Sequence, residues 1–71
     1  MSVETKVRAR CVTSKTAYQL LRGERLVGLA IALANGTWMV CGVDNENPVT
    51  PERFLSPRDA AEWAQRMGMG L

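Results

Sequence analysis

Apolar and polar residues alternate over residues 3–13, with Val7, Ala9 and Cys11 on one side and Lys6, Arg8 and Arg10 on the other. A period of two marks a half-buried strand, whose successive side chains point to opposite faces. A second strand is predicted over residues 16–22, ending at Gly23 and Glu24, a two-residue turn with glycine first. A third runs over 25–34 to Asn35 and Gly36, the sharpest hairpin signal in the chain, and a fourth over 37–43. Residues 44–55 read as loop, because Pro48 and Pro51 interrupt regular structure. The period then becomes helical: Ala60, Trp63, Ala64 and Met67 recur at i, i+3, i+4 and i+7. Ser56 suits the N-cap, Pro57 the first helical position, Asp59 the acid of a capping box and Gly68 the stop. The predicted fold is α+β, a single domain over residues 1–71. It is an antiparallel β-meander of three to four strands, followed by one C-terminal α-helix over 57–67 packed on one face.

Turn lengths then assign the faces. Two-residue turns at both hairpins pair Leu33 with Trp38, Ile31 with Val40, Leu20 with Val27 and Tyr18 with Leu29. These bulky side chains form the expected core face, covered by Trp63, Ala64 and Met67, with Phe54 closing one end. A tight turn at Ser14 and Lys15 adds Ala9 and Cys11 to it. The opposite face then holds Ala17, Gln19 and Leu21, then Leu26, Gly28, Ala30, Ala32 and Ala34, then Met39, Cys41 and Val43, beside the basic stripe Lys6, Arg8 and Arg10. One terminal helix cannot cover both sides of a sheet, and an uncovered apolar face usually marks an interaction site. The candidate partner-binding residues are therefore Lys6, Arg8, Arg10, Gln19, Ala30, Ala32, Met39, Cys41 and Val43.

Composition narrows the chemistry. Histidine is absent from the 71 residues, which removes the commonest general base and the commonest zinc ligand. No carboxylate pair, phosphate-binding glycine loop or nucleophile-plus-base arrangement stands out, so neither an enzyme nor a cofactor is expected. Asp44 and Glu46 lack the third acid, the glycine and the distal glutamate of a calcium loop, and read as a polar turn. The net charge of +2 is unevenly spread. Residues 1–25 hold six cations against two acids, and residues 26–71 three cations against five acids. That asymmetry permits an acidic partner or a phosphate backbone without demanding either. Cys11 and Cys41 have neither zinc nor redox spacing and read as reduced, buried thiols. Residues 1–6 lack the apolar core of a secretory signal. The apolar run over 26–34 is also far short of the ~20 residues of a membrane span, so a cytoplasmic protein is expected.

Over residues 18–67 the order is hairpin, a second hairpin carrying Asn35, Gly36 and Trp38, a loop, then Phe54, Ser56, Asp59, Ala60 and Trp63. This order resembles very small phage-encoded accessory proteins, anti-CRISPR inhibitors among them. Some of these are a compact antiparallel sheet with a short Ser-capped helix, and the resemblance implies binding to a host protein. It is similar also to the arm-type DNA-binding domain of phage integrases and its AP2-like relatives, which implies a sheet entering the major groove. A DNA-reading sheet needs Arg, Lys, Asn or Gln along its exposed strands. On the face read above, Gln19 is the central polar residue. The favoured expectation is a non-enzymatic protein-binding module, with a host-defence or regulatory protein or a second copy as partner, and sheet-mediated DNA binding as the alternative.

Overall fold

The computed structural model describes residues 6–11, 16–43 and 45–70. Five strands form one antiparallel sheet in sequence order: β1 (Val7–Cys11), β2 (Ala17–Arg22), β3 (Arg25–Ala32), β4 (Trp38–Gly42) and β5 (Asn45–Pro48). The helix α1 (Pro57–Arg66) follows and lies against one face, packing most closely on β1. The α+β meander with a C-terminal helix is as expected, with one strand more. β5 falls in the predicted loop and is compatible with Pro48 because an edge strand tolerates a missing N–H. The predicted turn at Ser14 and Lys15 lies outside the described residues, as do 3–5 and 12–13 of the first predicted strand.

Both ends of the helix follow from local chemistry. Ser56 has extended backbone and its Oγ accepts the Asp59 N–H at 3.1 Å, satisfying one of the helix's unpaired donors. At the other end the Gly68 N–H reaches the Gln65 carbonyl at 3.2 Å and the Met69 N–H reaches Ala64 at 3.0 Å, which closes a Schellman turn. That turn ends the helix one residue early. Met67, expected in the core, is 60% exposed, and Met69 is swung back against the core in its place. Arg22 Nε donates to the Met69 carbonyl at 2.8 Å, tying the turn to β2.

The registers depart from expectation at two places, each by one residue. At the β3–β4 hairpin Leu33 faces Thr37, so the loop has three residues, Ala34 to Gly36, instead of two. Gly36 takes φ +84° while Asn35 keeps an ordinary φ, and Asn35 Oδ1 accepts from the Thr37 N–H and hydroxyl at 3.2 and 2.6 Å. This is a type I turn followed by a left-handed glycine, the usual three-residue hairpin. At the β2–β3 hairpin the two-residue turn forms as predicted, with Arg22 facing Arg25 and Gly23 at φ 66°. A bulge then shifts the register, so that Leu20 faces Gly28 and Tyr18 faces Ala30.

The two slips cancel for β2 and β4 and invert β3 from Gly28 to Ala32, while Leu26 and Val27, before the shift, keep their expected faces. Tyr18, Leu20, Trp38 and Val40 face the helix as expected. Ala30 and Ala32, assigned by sequence to the outer face, turn to the helix side instead, opposite Tyr18 and Trp38. Ala30 is completely buried in a cluster with Leu20, Val40, Phe54, Ala60, Trp63 and Ala64. Small residues on the central strand have a packing consequence. Tyr18 and Trp38, on strands either side of β3, meet edge to face across it with ring centroids 5.3 Å apart. A bulky β3 side chain would hold those rings apart. The same narrowness leaves Gly28 without room for a side chain, since a Cβ there would lie 2.8 Å from the Cys41 carbonyl oxygen.

Candidate functional site

Inverting β3 makes the outer face more apolar than the sequence pattern suggested. The pairing sets its side chains in rows across the strands. Arg10, Gln19, Leu29, Cys41 and Pro48 form one row spanning all five strands, and Ala17, Ile31 and Met39 form the next. Arg8, Leu21 and Leu26 form a third. The β1 members of these rows are Arg8 and Arg10, and the β3 members are Leu26, Leu29 and Ile31, so the face runs from a basic margin to an aliphatic centre.

Exposure shows how this face is organised. Leu21 and Cys41 are buried, yet neither joins the core cluster under the helix. Both lie on the outer face by pairing, so the buried part of the sheet extends beyond the side that the helix covers. Leu26, Leu29, Ile31 and Met39 share this face, half-buried. α1 is committed to the other side, where Ala60, Ala61, Trp63 and Ala64 are buried against the sheet. A patch of contiguous large aliphatic side chains on a small protein is the feature most often found where another protein docks.

The predicted site residues therefore divide. Met39 and Gln19 lie half-buried on the outer face, and Lys6, Arg8 and Arg10 are exposed along its β1 margin. Val43 is 45% exposed just beyond β4. Cys41 belongs to the outer face but is buried, with 1% of its surface exposed. Ala30 and Ala32 do not belong to the face at all, for the register reason given above. Leu29 and Ile31 take their place, beside Leu26, which lies on the outer face as expected. An isolated glycine inside a strand pattern signals a bulge or a close backbone approach, so Gly28 is the sequence feature from which the shift could have been read.

Electrostatically the face has two parts. Arg8 and Arg10 stand opposite Leu21 and Gln19, so no acid neighbours them across the strand pair. Gln19 Oε1 is buried without a hydrogen-bond partner among the described residues. On the helix side, Cys11 is exposed, contrary to the buried thiol expected of it, because β1 lies at the sheet's border. Neither cysteine forms a disulfide. A hydrogen bond with Cys11, its cross-strand neighbour, holds the Tyr18 phenol above its ordinary 10.0, so that the hydroxyl stays neutral at physiological pH. Among the described residues no group of three His, Cys, Asp or Glu side chains is placed to hold a metal ion. No helix there is long and apolar enough to cross a membrane.

No protein-family model, curated protein or solved structure matches the chain, so the functional reading rests on the geometry above.

Proposed function

We propose that the chain is a small, non-enzymatic protein-binding module that docks a partner protein through the outer face of its sheet. The observation that carries this reading is the pair of apolar rows centred on Leu29, Ile31 and Met39, on the side of the sheet opposite the helix. Burying a large aliphatic side chain fully is worth about 1.5–3 kcal/mol. Leu29, Ile31 and Met39 are already half-buried, so each gains about half of that on docking, and specific association needs the basic margin and further contacts beside them. The stiff strand backbone lowers the entropy lost on docking. The mobile-element accessory role belongs to the same proposal, with a host-defence or regulatory protein in the cytoplasm as the partner.

Sheet-mediated DNA binding has less support. Arg8 and Arg10 reach the outer face only at its margin, and β3 and β4 present Leu29, Ile31 and Met39 where base-reading or phosphate-binding groups would be needed.

The test compares wild type with Ile31→Glu and with Arg66→Glu, a control at an exposed position on α1, which lies on the other side of the sheet. A host protein retained by wild type and by the control, and released by Ile31→Glu, supports the reading. If light scattering instead gives a wild-type dimer that Ile31→Glu converts to monomer, the face is occupied by a second copy. Equal retention by all three proteins overturns the proposal. Micromolar binding to random duplex DNA that weakens steeply with salt would favour the nucleic-acid reading over it.

A further inference from the structure

The open edge of β1 is a separate feature from the outer face. β1 borders the sheet on one side, whereas the opposite border ends in β5, four residues closed by Pro48, which has no N–H to offer. In an antiparallel pair, alternate residues bond across the ladder and those between turn their main-chain groups away. Val7 and Ala9 are of the second kind. Gln65 Oε1, reaching over from α1, accepts the Val7 N–H at 2.6 Å and shows which way that side faces. Ala9, two residues on, directs its N–H and C=O to the same side, with no partner for them among the described residues. Half of this edge is thus already met by a side chain standing in for a strand, and the other half is open.

Beside it a groove of about 580 Å³ runs between β1 and α1. The small side chains of Ala9 and Ala61 line it, with Lys6 and Arg8 on the strand side and Arg58 and Glu62 on the helix side. Glu62 lies 3.9 Å from Arg58. Among the described residues no acidic side chain pairs with Lys6 or Arg8, so the β1 edge keeps its positive charge.

We infer that this edge binds an extended acidic peptide, which adds to the sheet beside β1 and hydrogen-bonds to the main chain of Ala9. Strand alternation specifies the peptide further. Side chains on its helix side enter the groove over Ala9 and Ala61, where an aliphatic residue fits. Those on its other side lie beside Arg8 and Arg10, where carboxylates fit. The occupant is therefore a segment in which acidic and aliphatic residues alternate. Charge argues against a second copy of the chain: antiparallel pairing of β1 with itself about Ala9 would set Arg8 opposite Arg10 of the other copy, and directly opposed like charges destabilise a strand pair.

The probe is a short labelled peptide of alternating Glu and Val, titrated into the full chain and followed by fluorescence anisotropy. Saturable binding is expected, about tenfold weaker for the matching Lys–Val peptide and for Ala9→Pro, which removes the outward N–H and leaves the β2 ladder intact. The double variant Arg8→Glu, Arg10→Glu is expected to reverse the preference between the two peptides. Hydrogen exchange at the Ala9 amide, slowed in wild type by the bound peptide, reads the same contact if Ala9→Pro fails to fold. Equal affinity for both peptides, or Ala9 exchange unchanged at saturation, overturns the inference. So does a dimer in which the Ala9 amide is protected before peptide is added. None of these results bears on Ile31, so this site and the outer face stand or fall separately.

Discussion

Replacing Gly28 by alanine puts one methyl group where the inverted β3 leaves no space. A Cβ at this position lies 2.8 Å from the Cys41 carbonyl oxygen, 3.1 Å from Met69 Cε and 3.8 Å from Leu20 Cδ1. Met69 is the far end of a flexible side chain and can move aside. The Cys41 carbonyl cannot, because β4 is paired with β3 on one side and β5 on the other. β3 must shift against β4, and overpacking of this kind costs about 1–3 kcal/mol. Restricting the unfolded chain by replacing glycine returns about 0.4–1 kcal/mol. The net loss is about 1–2 kcal/mol, which for a domain of this size lowers Tm by roughly 4–15 °C. Thermal unfolding by far-ultraviolet circular dichroism measures it, with the near-ultraviolet tryptophan signal as a second probe. Were β3 turned the other way, Gly28 would look out over an open face and alanine would stabilise the protein. An unchanged or raised Tm therefore refutes the packing described here.

Other positions give independent checks. Ser56→Ala removes the acceptor for the Asp59 N–H and should lower stability by about 1 kcal/mol in urea unfolding, whereas Ser56→Asp should hold it near wild type. Tyr18 is the only tyrosine in the sequence, so a phenolate absorbance titration reads it alone. It should ionise above the ordinary 10.0, and Cys11→Ala should bring it back toward that value. The folded chain holds this proton more tightly than the unfolded chain. The associated stability is therefore complete below the ordinary tyrosine value and is lost as pH rises through the folded-state value.

The elements of this fold were easier to read from the sequence than their registers. The residues that start and stop the helix, Ser56, Pro57 and Gly68, act on their own backbone, and a local signal suffices to find them. The period-two alternation that marked β1, and the turn residues that bounded β2 to β4, are likewise local. Register depends instead on the choice between two turn geometries. Asn35 followed by Gly36 is compatible with a two-residue loop in which both have positive φ, and with the three-residue loop in which only Gly36 does. The Asn35 side chain favours the second by bonding to Thr37. The β2–β3 bulge has a fainter signal still, the lone Gly28 in a strand of aliphatic residues. β5 was hidden because Pro48 argues against a strand in general but not at a sheet border. The site suffered accordingly. That one face would be left apolar and flanked by Arg8 and Arg10 was legible. Which residues of β3 occupy it was not, because a one-residue slip exchanges the whole strand between faces.

The outer face exists as a docking surface only if Ile31 looks out and Ala30 looks in. Side-by-side denaturant unfolding of Ile31→Glu and Ala30→Glu tests this. Ile31→Glu gives up a half-buried side chain and some strand propensity, a loss of about 1–2 kcal/mol, and should still unfold cooperatively. Ala30→Glu forces a carboxylate into a fully buried position under the helix, at a cost above about 4 kcal/mol, and should leave no folding transition. The reverse order, with Ala30→Glu folded and Ile31→Glu unfolded, would contradict the face assignment and with it the proposed function.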